Sequence, residues 1–201
     1  MSKWGIAAIA AACLLSAASF AAADPKLIES CNDCHGDKGV STAQDVPTLA
    51  GVSEGVQRNA LKAYQARTRS CPKVNYKRGD TKRQGDMCTL AARLNEASVA
   101  ELAAYYAKLA YAPRQQAADA AKAAAGKAIH DRYCKKCHSN GGRDPSDDAG
   151  ILAGQPLAWL KTSLVAFRTG ASQQPKKMKE AMGKISDAET EALAHYYASQ
   201  H

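Results

Sequence analysis

Cys31-Asn32-Asp33-Cys34-His35 and Cys134-Lys135-Lys136-Cys137-His138 are two copies of one pattern, Cys-x-x-Cys-His. On a helical turn, positions i, i+3 and i+4 share a face. Two thiols so placed reach the two vinyl groups of one porphyrin while the histidine reaches its iron. The spacing is a signature of covalent c-type haem attachment. A zinc site would need a second Cys or His pair near each copy, and neither copy has one. A redox Cys-x-x-Cys would sit in a βαβ pattern, and none is visible. Two copies therefore imply two covalently bound haem c groups. Cys31, Cys34, Cys134 and Cys137 would form the thioethers, and His35 and His138 would be the proximal iron ligands. Two haems point to electron transfer.

Outward from these motifs the chain reads as a duplication. A shift of 103 residues lays Cys31–His35 on Cys134–His138 and Leu49-Ala50-Gly51 on Leu152-Ala153-Gly154. The same shift lays Leu61 on Leu164 and Tyr64 on Phe167. Further along the shift drops to 91, and Met87 falls on Met178, Leu94 on Ile185, and Tyr105-Tyr106-Ala107 on Tyr196-Tyr197-Ala198. The first half thus carries about twelve extra residues between Tyr64 and Met87. Val99, Leu102, Ala103, Tyr106 and Leu109 keep the helical rhythm, as do Leu193, Ala194 and Tyr197. Ser186-Asp187-Ala188-Glu189 predicts a capping box. Residues 117–137 favour a helix leading into the second motif. Gly and Pro at 36–51 and 141–156 predict loops. No window alternates like a strand, so the expected class is all-α.

The chain has 201 residues, enough for one ordinary domain or two small ones. Residues 1–23 read as a cleaved secretory signal: Lys3, an apolar stretch over 4–20, then Ala21-Ala22-Ala23 before Asp24. The competing readings are a membrane anchor and a lipoprotein at Cys13. The stretch is short and Ala-rich for the first, and Ala10-Ala11-Ala12 precede Cys13 in the second. Past it no segment is long and apolar enough to span a membrane. An exported protein with covalent haem belongs in the bacterial periplasm, where thiols are oxidised. Of seven cysteines, removing Cys13 and the four haem thiols leaves Cys71 and Cys88, which can pair. Such a bridge would close a loop of about 17 residues and stabilise it by roughly 3 kcal/mol.

The formal charge of +8 becomes +7 once Lys3 leaves. Nothing matches a nucleic-acid module, so the basic balance fits an acidic protein partner better than nucleic acid. The expected organisation is a haem-binding domain at 24–110, a linker and helix lead-in at 111–125, and a second haem-binding domain at 126–201. Pro113 ends the preceding helix near the boundary.

On these residues the chain resembles the dihaem cytochromes c, the cytochrome c4 family and the related cytochrome subunit of flavocytochrome c sulfide dehydrogenase. Both CxxCH motifs, the Leu-Ala-Gly triplets, the methionine before each last helix and the Tyr-Tyr-Ala helices carry the resemblance. Residues 130–138, Gly141-Gly142 and Ile151–Gln155 look especially like the flavocytochrome subunit. The resemblance implies two tandem class I cytochrome c domains related by pseudo-twofold symmetry, with haem propionates near their interface. It also implies a backbone carbonyl on each haem histidine, from Pro47 in the first half and from Gly150, where the family often has Pro, in the second. The Cys71–Cys88 pair and its basic loop lie outside the common pattern.

For the distal ligands, Met87 lies seven residues before Leu94 and Met178 seven before Ile185, whereas Met182 lies three before it. Met87 and Met178 are the expected sixth ligands, with Met182 as the alternative to Met178. A thioether ligand raises the potential. The bis-histidine alternative would draw on His130, His195 or His201. The extra loop holds Lys73, Lys77, Arg78, Lys82 and Arg83, either as a solvated face or as a dock for an acidic redox partner.

The leading functional reading is an electron carrier, not an enzyme. It would accept electrons from a flavoprotein or haem dehydrogenase of a reduced sulfur compound, sulfide or thiosulfate, and pass them to a downstream cytochrome or oxidase. The alternative is a free cytochrome c4-type shuttle to a terminal oxidase. A further class is a dihaem enzyme with an open or Cys-ligated iron.

Overall fold

The computed structural model describes residues 24–201. The signal reading of 1–23, with Cys13, lies outside them. In chain order the helices are α1 (Pro25–His35), α2 (Glu54–Gln65), α3 (Met87–Ala91), α4 (Glu96–Ala107) and α5 (Ala120–Ile129). They continue with α6 (Ser139–Gly142), α7 (Leu157–Arg168), α8 (Lys176–Met182) and α9 (Asp187–Ala198). A five-residue π-helical stretch, His130–Cys134, continues α5 into the second motif. The molecule is built of helices, as the sequence predicts, with one small exception. Within the extra loop, β1 (Val74–Asn75) pairs antiparallel with β2 (Gln84–Gly85), Val74 opposite Gly85. Two-residue strands are too short to show a period.

Side chains that satisfy free N–H groups start most of these helices. Asp24 accepts from Lys26 N at 2.9 Å, ahead of Pro25 at the first helical position. Asn95 accepts from Ser98 N and Asp119 from Lys122 N, at 2.8 and 3.0 Å. Ser186 and Glu189 form the reciprocal capping box expected of them. The path between α4 and α5 runs through 108–119, so the first turns of α5 fall within the predicted lead-in.

The duplication reappears bond for bond. Leu49 N and Ala50 N both donate to the Gly39 carbonyl, and Leu152 N and Ala153 N both donate to that of Gly142. Gly51 N donates to Tyr106 O at 2.9 Å, and Gly154 N to Tyr197 O at 2.8 Å. Gly39 and Gly142 adopt φ of 71° and 79°, and each has an aromatic ring against its α-carbon, Tyr106 and Tyr197 respectively. A side chain there would meet the left-handed backbone penalty and the ring together.

In the second half α5 packs along α9, and α7 packs on α9 from another side. Leu160, Leu164, Leu193, Ala194 and Tyr197 are buried in the cluster so formed. At the α5–α9 crossing, a β-carbon on Gly126 would collide with the backbone carbonyl of Ala192. Gly126→Ala gains at most about 1 kcal/mol of helix propensity. It must also push two helices apart, since the obstacle is main chain, and overpacking costs typically about 1–3 kcal/mol. A net destabilisation is expected in urea titration; a stabilised variant would show that the crossing can relax.

Polar contacts, the central ones buried, join the two halves. The Gln155 side chain accepts from Thr48 N at 2.9 Å and donates to Thr48 O at 3.0 Å. Trp159 N donates to Gln44 O, and Gln173 N to Thr68 O. Ser53 Oγ donates to Asp148 at 2.7 Å. The Arg69 guanidinium lies over Tyr64 and Phe167, 5.1 and 5.6 Å from their centroids, so matched rings of the two halves share one cation.

Candidate functional site: two matched attachment turns

Cys31, Cys34 and His35 fill the last turn of α1, which ends where Gly36 turns out at φ 80°. Burial places Cys34 and His35 each at 6% exposure. His35 Nδ1 meets the Pro47 carbonyl at 2.8 Å. A carbonyl can only accept, so Nδ1 carries the proton and Nε2 is left with its lone pair. Burial also pushes the imidazole pKa down, against the opposing pull of the Pro47 carbonyl. A neutral ring with a free Nε2 is the form that binds a metal, and a backbone acceptor on the other nitrogen fixes its orientation.

The second turn repeats the arrangement more loosely. Cys134 ends the π-helical stretch and His138 is half-buried. His138 Nδ1 completes no hydrogen bond, yet the Gly150 carbonyl is the backbone acceptor that acts on it. The contact at Pro47 is the better-formed of the two. Burial lowers the His138 pKa first, and His130 lowers it further. All four motif cysteines are free thiols, whereas Cys71 and Cys88 are joined in a disulfide, Cα–Cα 5.8 Å. Burial pushes the Cys31, Cys34 and Cys134 thiols up. Free thiol pairs beside a neutral, oriented imidazole fit a covalently attached haem.

Met87 opens α3, immediately after Asp86 caps that helix through Thr89 N at 2.8 Å. It is half-buried and stands outside the cluster of Cys34, Val46 and Tyr76. Met178 lies on α8, which packs against His130–Cys134, and it joins the fringe of the cluster that also holds Tyr133 and Cys134. Met182 is 4% exposed and sits within that core. The spare histidines have other partners. His130 Nδ1 pairs with Tyr197 OH at 3.0 Å, and His195 Nδ1 accepts from Asp119 N at 3.0 Å. His201 is exposed at the chain end.

The extra loop folds back on the first turn. Lys77 N and Arg78 N both donate to the carbonyl of Asp33, at 2.8 and 3.1 Å. Their side chains pair with Asp45 and Glu29. Two further contacts had no sequence signal. Tyr106 OH donates to Asn32 Oδ1 at 3.0 Å, inside the first motif. The Gln155 clasp holds Thr48, the neighbour of Pro47. At the position matching Gln155, the first half has Val52.

Residues 21–110 match the family described as cytochrome c, and residues 121–196 match cytochrome c oxidase, cbb3-type, subunit III. A thiosulfate dehydrogenase electron acceptor of Thiomonas intermedia is 28% identical over 91% of this chain and 83% of its own length. Cytochrome c4 of Azotobacter vinelandii is 27% identical over 94% and 92%. The structure of reduced cytochrome c4 from Pseudomonas stutzeri superposes with a TM-score of 0.68 at 25% identity, over 87% of this chain and 95% of that one. Thiosulfate dehydrogenase (TsdBA) from Marichromatium purpuratum matches with a TM-score of 0.66 at 28% identity, over 85% of this chain and 36% of that one.

Proposed function

For a chain made of two cytochrome c domains, each with one covalently attached haem c, we propose the role of an exported electron carrier serving a thiosulfate-oxidising dehydrogenase. The observation that carries the sulfur assignment is the likeness to a thiosulfate dehydrogenase electron acceptor over most of both chains. The signal-like residues 1–23 support export to the periplasm. Among the described residues no helix is long and apolar enough to cross a membrane.

In this reading Cys31, Cys34, Cys134 and Cys137 hold the two groups, and His35 and His138 are the proximal ligands. Met87 and Met178 are the distal ones. Bound there, each haem takes up and releases a single electron at its iron. Everything else is the work of the chain. Pro47 and the Gly150 segment orient the imidazoles, α3 and α8 carry the methionine thioethers, and the buried surroundings of Cys34 and His35 keep water from the first attachment turn. The placing of Met182 within the core cluster supports Met178 as the ligand. Met178→Ala is expected to abolish the near-infrared methionine–iron band of one haem, whereas Met182→Ala leaves both bands and costs about 2–5 kcal/mol of stability. The reverse pattern would reassign the ligand.

The functional test is direct. The oxidised holoprotein, mixed with a thiosulfate-oxidising dehydrogenase, should be reduced at both haems on adding thiosulfate, and thiosulfate alone should reduce neither. Failure with that enzyme, together with ready oxidation of the reduced protein by a terminal oxidase, would favour the second reading, a cytochrome c4-type shuttle. That reading is supported by the similarity to cytochrome c4 along nearly the whole of both chains.

A further inference from the structure

The two attachment turns match in sequence and differ in cover. Cys34 is 6% exposed; its counterpart Cys137 is exposed. His35 is buried and His138 only half-buried. The extra loop accounts for the difference. Its backbone binds the Asp33 carbonyl through Lys77 N and Arg78 N, inside the motif itself. Tyr76, 7% exposed, packs with Cys34 and Val46. Arg83 covers the Tyr76 ring at 4.4 Å. The ion pairs Lys77–Asp45 and Arg78–Glu29 then pin the loop at both sides of the turn, at 2.8 and 3.3 Å. Lys77 and Arg78 are thereby partly neutralised, while Lys73, Lys82 and Arg83 are exposed and, among the described residues, in no ion pair, so on this side it is cover and not charge that keeps partners from the turn.

The second half has no such loop. Its turn carries Lys135 and Lys136, both exposed and, among the described residues, in no ion pair. On α8, which packs against His130–Cys134, Lys177 and Lys179 are likewise exposed and unpaired. Glu180 is the one acid on that helix, and Asp131 is already held by Lys127 at 2.6 Å. Unpaired cations around an uncovered redox group steer an acidic partner toward it. Electron tunnelling falls steeply with separation, so cover and charge act in the same direction.

We propose that the disulfide-closed loop shields the first attachment turn from partners, and that the chain receives its redox partner on the second turn, where Lys135, Lys136 and the α8 lysines meet an acidic protein surface. The proposal rests on the electron-carrier reading above and adds the face that is used.

Hexacyanochromate(III), a paramagnetic and redox-inert trianion, tests it on the holoprotein by NMR. At low salt the probe should broaden amide signals of Lys135–His138 and of α8, and leave those of the covered turn, Cys31–His35, sharp. The effect should fade as ionic strength rises past roughly 0.1 M. The triple variant K135E/K136E/K177E should lose the broadening. Broadening of the first turn equal to that of the second in the unaltered protein would overturn the proposal, as would retention of broadening in the triple variant. The probe carries charge alone, so a wrong choice of sulfur dehydrogenase leaves these outcomes unchanged.

Discussion

Replacing Gln155 with alanine is expected to destabilise the protein by about 2–5 kcal/mol and to disturb the first haem more than the second. Both Gln155 and Thr48 are 2% exposed. Truncation orphans the Thr48 N–H and C=O together, because one amide serves both. Each buried group so stranded costs roughly 1–3 kcal/mol. That exceeds the roughly 1 kcal/mol net value of an ordinary hydrogen bond, and the difference decides the prediction. Thr48 follows Pro47, whose carbonyl holds His35 Nδ1 at 2.8 Å, so the strain falls on the first site. Gln155→Glu is the informative companion: a carboxylate accepts from Thr48 N and repels Thr48 O. Urea denaturation gives the energy, and potentiometry resolving the two haems gives the asymmetry. Equal shifts at both haems would reduce the clasp to plain scaffolding.

The double variant C71S/C88S is expected to lose about 3 kcal/mol, the closure term for a loop of 17 residues. More than loop entropy is at stake. Cys88 follows Met87 at the start of α3, and both sulfurs of the bridge face the Arg69 carbonyl. Arg69 in turn joins the halves through Tyr64 and Phe167. The bridge therefore ties a proposed ligand to the domain junction. A weakened methionine–iron band at the first haem, with the second unchanged, is the expected spectroscopic result. An unaltered band at both haems would leave the disulfide a simple clip.

Local features of the sequence translated well into structure. The capping box at Ser186 and Glu189 formed as expected, the 103-residue offset reappears in the paired hydrogen bonds to Gly39 and Gly142, and the 91-residue offset in those to Tyr106 and Tyr197. These are encoded by neighbours or by repetition, and both can be seen in one dimension. The Gln155–Thr48 clasp spans 107 residues and has no period to betray it. The basic loop read equally well as a docking face or a solvated one. A run of lysines and arginines says nothing of where its counter-charges lie, and Asp45 and Glu29 come from other segments. The π-helical stretch before Cys134 was also invisible, since Ala- and Lys-rich composition predicts an unbroken α-helix.

The clasp has a bearing on how the two halves have diverged. It binds main chain, so any residue but proline at the Thr48 position could hold it, and the side-chain demand of the clasp falls on the glutamine. At the matching position the first half has Val52, buried at 8% exposure. A tandem of two second halves would hold the clasp in both directions, and a tandem of two first halves would hold none. The halves began as copies and are no longer interchangeable parts.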